Sequence, residues 1–128
     1  MKTISGIKKI SVKAGTVDNE IIKELITQDR GAKKILVEPG LAAYLMTDGL
    51  TVEIYGCGFC YPEYLFAYGN MVTSFKVEKL DRMLLLLLQK GGQLLGNVES
   101  VCSSYRYCHI LTPEKTVIGI YEHPESKD

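Results

Sequence analysis

At 128 residues the chain has the size of a single domain and can bury one sound core. Fifteen basic residues are balanced by fifteen acidic ones, which excludes both the basic footprint of a non-specific nucleic-acid binder and an acidic mimic of DNA. No apolar run approaches the ~20 residues that a bilayer needs, and MKTISGIKKI has no apolar signal core, so the expectation is a cytoplasmic protein without a membrane span.

Residues 7–13, IKKISVK, end in alternation, with Ile10 and Val12 set against Lys9, Ser11 and Lys13, and read as a half-buried first strand. After the Ala14-Gly15 turn, Thr16 or Asp18 caps a helix over about 18–30 that presents Ile21, Ile22, Leu25 and Ile26, with Gly31 beyond its end. A second strand at 34–37 closes on Glu38-Pro39-Gly40. In AYLMTDGLTVEIY, residues 43–55, Asp48-Gly49 between β-rich runs signals a hairpin, with a short helix over 41–46 as the alternative for its first arm. Residues 64–68, YLFAY, and the run 71–77 read as another hairpin, although Pro62 also permits a short helix there.

VEKLDRMLLLLLQK, residues 77–90, is the core helix. At about 100° per residue Val77, Leu80, Met83, Leu84, Leu87 and Leu88 fall in one stripe, and Gly91-Gly92 stops the helix. Leu85 and Leu86 project into the polar side, and an apolar patch of that kind calls for cover: either a loop of the chain or a homo-oligomer seam. Residues 100–111 and 116–121 then form a last pair of strands across Thr112-Pro113-Glu114-Lys115, and the tail from about 123 is polar and loose. The sequence shows no repeat and no linker. The reading is one α+β domain over 1–128, with a mainly antiparallel sheet built from hairpins and two helices packed on one face.

Three groups of residues could carry chemistry. Cys57-x-x-Cys60 with Cys102 and Cys108 has the donor set for a tetrahedral zinc, since two thiolates two residues apart can share one ion. On one straight strand, however, Cys102 and Cys108 would stand about 20 Å apart at ~3.3 Å per residue, so the chain would have to fold back at Ser103-Ser104. The same Cys57-Cys60 pair resembles the dithiol of thioredoxins and glutaredoxins over those four residues, which implies disulfide cycling. Pro62 and Gly69 leave room there for only about two helical turns, where that family has a long helix. Free, buried thiols are the plain alternative.

The third group is Ser103 to His109. On a strand, Tyr105, Tyr107 and His109 share one face with Ser103, while Arg106 lies on the other. Tyrosines can stack on a planar ring, and an arginine can clamp a phosphate or carboxylate, so Tyr105, Arg106, Tyr107 and His109 suit a nucleotide-like small ligand or a protein partner. A solvent-facing aromatic ladder needs no ligand at all. No phosphate loop, nucleophile elbow or dinucleotide turn is present. The expectation is a non-catalytic binding or inhibitor module that works as a homo-oligomer, with a zinc- or redox-active cysteine protein as the alternative.

Overall fold

The computed structural model describes residues 7–56, 61–101 and 105–122. Among the described residues eight strands and two helices follow in the order β1 (Ile7–Lys13), α1 (Thr16–Ile26), β2 (Lys33–Glu38), β3 (Leu41–Leu45), β4 (Thr51–Tyr55), β5 (Met71–Lys76), α2 (Leu80–Gln89), β6 (Gln93–Val101), β7 (Tyr105–Leu111) and β8 (Val117–Glu122). The chain divides between Val72 and Thr73 into two compact units. Each runs strand, helix, then three strands: a sequence without a repeat folds as a repeated βαβββ order.

In the N-terminal unit the strand order is β2-β3-β4-β1. β2, β3 and β4 form an antiparallel meander, and β4 then lies parallel to β1, with Ser11 opposite Glu53 and Val12 opposite Ile54. Parallel neighbours require a crossover, and here the helix with β2 and β3 supplies it. The Asp48-Gly49 hairpin forms as expected: Gly49 takes φ 94°, and the Asp48 carboxylate accepts the Leu50 N–H at 3.0 Å. Ile26 of α1 packs with Val12, Ala14, Tyr44 and Ile54.

The C-terminal unit repeats the pattern in the order β5-β8-β7-β6, with β5 parallel to β8 and the other pairs antiparallel. Leu80 of α2 is fully buried on Cys108, Ile110 and Ile120, and Val77, Met83, Leu84 and Leu87 pack around it. Gly91 at φ 100° and the Gly92 N–H bonded to the Leu87 carbonyl end the helix as the double glycine requires.

Several expectations need correction. The strand pairings are mainly antiparallel as expected, but the set is mixed, because β1 and β5 are each paired in parallel by a strand that returns after a crossover. α1 ends at Ile26, four residues early, and Gly15 rather than Thr16 or Asp18 is its N-cap residue. Asp29 turns away to accept the Thr47 N–H at 2.9 Å and the Thr47 hydroxyl at 3.0 Å. Of the expected apolar face, Ile22 and Ile26 pack inward, but Ile21 and Leu25 are 54% and 66% exposed. Leu88, expected in the α2 stripe, is also exposed. Residues 64–68 form turns, not a strand, and bury Leu65 and Phe66. β6 occupies 93–101, of which the sequence reading leaves 93–99 unassigned and takes 100–101 as the start of the strand 100–111; Gly96 at φ 69° sits in its bulge and interrupts the alternation that would have marked it. Among the described residues no helix is long and apolar enough to cross a membrane. The tail from 123 lies outside the described residues.

Candidate functional site

In the C-terminal unit, alternation decides what each face of β7 carries. Cys108 and Ile110 point to α2, so Tyr105, Tyr107 and His109 stand on the opposite face. There the Tyr105 and Tyr107 ring centroids are 5.7 Å apart, and Tyr107 and His109 are 5.8 Å apart. Tyr121 of β8 joins at 5.7 Å from Tyr105. These are tilted and edge-on contacts of the kind aromatic rings prefer, so the row holds its rings in fixed orientation. Opposite His109 in the β7–β8 register is Gly119, and next to Gly119 on β5 is Ser74, only 3% exposed. A Cβ on Gly119 would clash with the Ser74 hydroxyl and come within 3.2 Å of the His109 ring. Glycine at this position leaves the space that the serine hydroxyl and the imidazole flank.

Arg106 takes a different place from the rings. Its guanidinium meets Asp81 Oδ1 at 2.9 Å and Glu122 Oε2 at 3.6 Å, at the start of α2. Glu122 also accepts the Leu80 backbone N–H, so a carboxylate from β8 caps a helix whose own N-cap residue, Lys79, provides no side-chain bond. The Arg106 hydrogen bond holds the Asp81 carboxyl below its ordinary value, and Asp81 in turn raises Arg106. This network ties β7, β8 and α2 together on the helix side. A clamp on a ring-bound phosphate would have to break it.

The N-terminal unit carries a second polar group that the sequence reading did not single out. On the face of β1 and β4 away from α1, the Glu53 carboxylate accepts the Ser11 hydroxyl at 2.8 Å and the Tyr55 hydroxyl at 3.2 Å, and pairs with Lys9 at 3.4 Å. Ser11 is buried, and the Lys9 and Glu53 side chains are only 20% and 18% exposed. Tyr55, Tyr61 and Phe66 form an edge-to-face trio with centroids 5.1 to 5.9 Å apart, with the Lys13 ammonium 6.0 Å from the Tyr61 ring. The available signal was a glutamate in the middle of TVEIY, an otherwise strand-forming run.

Cys57, Cys60 and Cys102 lie outside the described residues. Cys108 is 1% exposed under α2, and burial pushes its thiol up to about 11. A four-cysteine site would have to turn it out of that core. Among the described residues no three His, Cys, Asp or Glu side chains are grouped to hold a metal ion. Leu85 and Leu86 are 59% and 44% exposed on the outer side of α2.

No family model and no curated protein matches the sequence. Solved structures do match the fold. A glyoxalase/bleomycin resistance protein/dioxygenase superfamily member from Vibrio splendidus aligns over 93% of this chain and 99% of its own, at 10% identity and TM-score 0.61. Methylmalonyl-CoA epimerase from Mycobacterium tuberculosis aligns over 98% and 94%, at 17% identity and TM-score 0.59. A hypothetical protein from Bacillus halodurans aligns over 98% and 99%, at 10% identity and TM-score 0.64. The chain therefore shares the α+β fold of these proteins, and at such identities the likeness is one of fold alone.

Proposed function

We propose that this chain is a non-catalytic small-ligand-binding protein that acts as a homo-oligomer, with the rings of Tyr105, Tyr107 and His109 as its recognition surface. The observation that carries the reading is the row itself: three rings on one sheet face, spaced 5.7 and 5.8 Å, and backed by Tyr121. Such a row offers faces and edges to a planar aromatic or nucleotide-like group, whose stacking on a protein ring contributes about 1–3 kcal/mol. The fold supports a small-ligand reading in kind, since a glyoxalase/bleomycin resistance protein/dioxygenase superfamily member and a methylmalonyl-CoA epimerase are built on it. Arg106, engaged with Asp81 and Glu122, is left out of the recognition set.

Adenosine and adenosine 5′-monophosphate are suitable probes, followed by tyrosine and histidine ring signals in NMR. Binding is expected to shift Tyr107 and His109, to weaken about tenfold in Tyr107→Ala, and to be unchanged in Arg106→Ala. Shifts confined to other residues, or no shift with either probe or with a panel of planar fragments, would overturn the proposal.

A further inference from the structure

We propose that β2 is the seam through which two copies of this chain pair, edge to edge and antiparallel, about a two-fold axis passing between Ile35 and Leu36. β2 is the outer strand of its unit and pairs with β3 alone among the described strands. All six of its residues are exposed, including Ile35 at 52%, Leu36 at 38% and Val37 at 64%. Edge strands are normally blunted by charge or proline in their middle, because open N–H and C=O groups recruit another strand. This one keeps its charges at the ends and three aliphatic residues at the centre.

Register is what identifies the second copy as the partner. In a regular six-residue strand the first and last side chains fall on opposite faces, and self-pairing would set them on the wrong sides of the sheet. β2 is not regular: its pairing with β3 slips by one residue between Lys34 and Leu36. Lys33 stands opposite Leu45 and Glu38 opposite Leu41, so Lys33 and Glu38 share one face. Lys34 stands opposite Tyr44 and Val37 opposite Ala42, so these two share the other, the side on which α1 packs. With the bulge in place, an antiparallel copy of KKILVE meets Lys33 with Glu38 and Lys34 with Val37, each pair twice and each on a common face. The strand is complementary to itself in charge, and the bulge is what makes the faces agree. The stripe Val17, Ile21 and Leu25 on α1, 72%, 54% and 66% exposed, adds apolar surface on the Val37 side.

The test is a dilution series of the full chain by sedimentation velocity, with circular dichroism to confirm the fold of each variant. The wild type is expected to be a dimer that dissociates on dilution and more readily in high salt. Lys33→Glu or Glu38→Lys turns both cross-strand pairs repulsive and should raise the dissociation constant about tenfold. The double reversal Lys33→Glu/Glu38→Lys restores complementarity and should return it close to wild type. A monomer at every concentration overturns the proposal. So does a double reversal no tighter than the single ones, or a dimer that ignores these charges and is lost only in Leu85→Glu/Leu86→Glu.

Discussion

The two βαβββ units use one backbone order to present two chemistries, and the difference turns on a single register position. The first strand of each unit, β1 or β5, buries a serine on the face away from its helix: Ser11 at 4% exposure and Ser74 at 3%. On the parallel neighbour the residue facing Ser11 is Glu53, and the residue facing Ser74 is Gly119. A carboxylate there gathers the serine, Tyr55 and Lys9 into a charged cluster. A missing side chain there leaves room for both the serine hydroxyl and the His109 ring, the last ring of an aromatic row. Topology sets where a polar group can stand, and the side chain at that position sets what it recruits.

The two cores should behave alike. Ile54 is 1% exposed and Leu80 fully buried, so Ile54→Ala and Leu80→Ala should each cost about 2–5 kcal/mol, read from the urea midpoint. A cost well under this range in one variant would mean that its unit contributes little to the cooperative fold.

The sheet faces should then respond differently. Gly119→Ala drives a methyl into Ser74 and His109 and should cost about 1–3 kcal/mol, most of it recovered in Ser74→Ala/Gly119→Ala. In the other unit Glu53→Ala creates space instead of a clash, and it takes from the buried Ser11 the acceptor that holds its hydroxyl, at about 1–2 kcal/mol. If removing the Ser74 hydroxyl fails to rescue Gly119→Ala, the contact is not what requires the glycine.

The smallest effects are electrostatic and sharpen the contrast. Asp81 is held below its ordinary value of 3.8 chiefly by the Arg106 side chain, and Asp29 below the same value chiefly by the Thr47 backbone N–H. Carboxylates lowered in the folded state add stability that is full above the unfolded value and is lost as pH falls through the lower folded one. Carboxyl titration by NMR should therefore find Asp81 returned to the ordinary range in Arg106→Ala. Asp29 should stay lowered in Thr47→Ala, because the backbone donor remains.

Much of the local structure could be read from residues alone. Hydrophobic spacing located β1 and α2, and Asp48-Gly49 specified its turn, because these signals depend on neighbours a few residues away. The alternation in YRYCHIL likewise divided Tyr105, Tyr107 and His109 from Arg106 before any fold was known. Polar tracts were misread where a distant partner decided the outcome, as when Asp29 left the helix for Thr47. β6 was hidden because the bulge at Gly96 broke its period.

Where a repeat of two or 3.6 residues runs unbroken, as in β1, β7 and α2, local spacing alone fixes the type of element and which side chains share a face. Long-range folding is what sets β4 and β8 parallel to β1 and β5, Glu53 against Ser11, and Gly119 against Ser74. Those pairs are brought together by crossovers about 40 residues long, and no local periodicity encodes where a chain returns after so many residues.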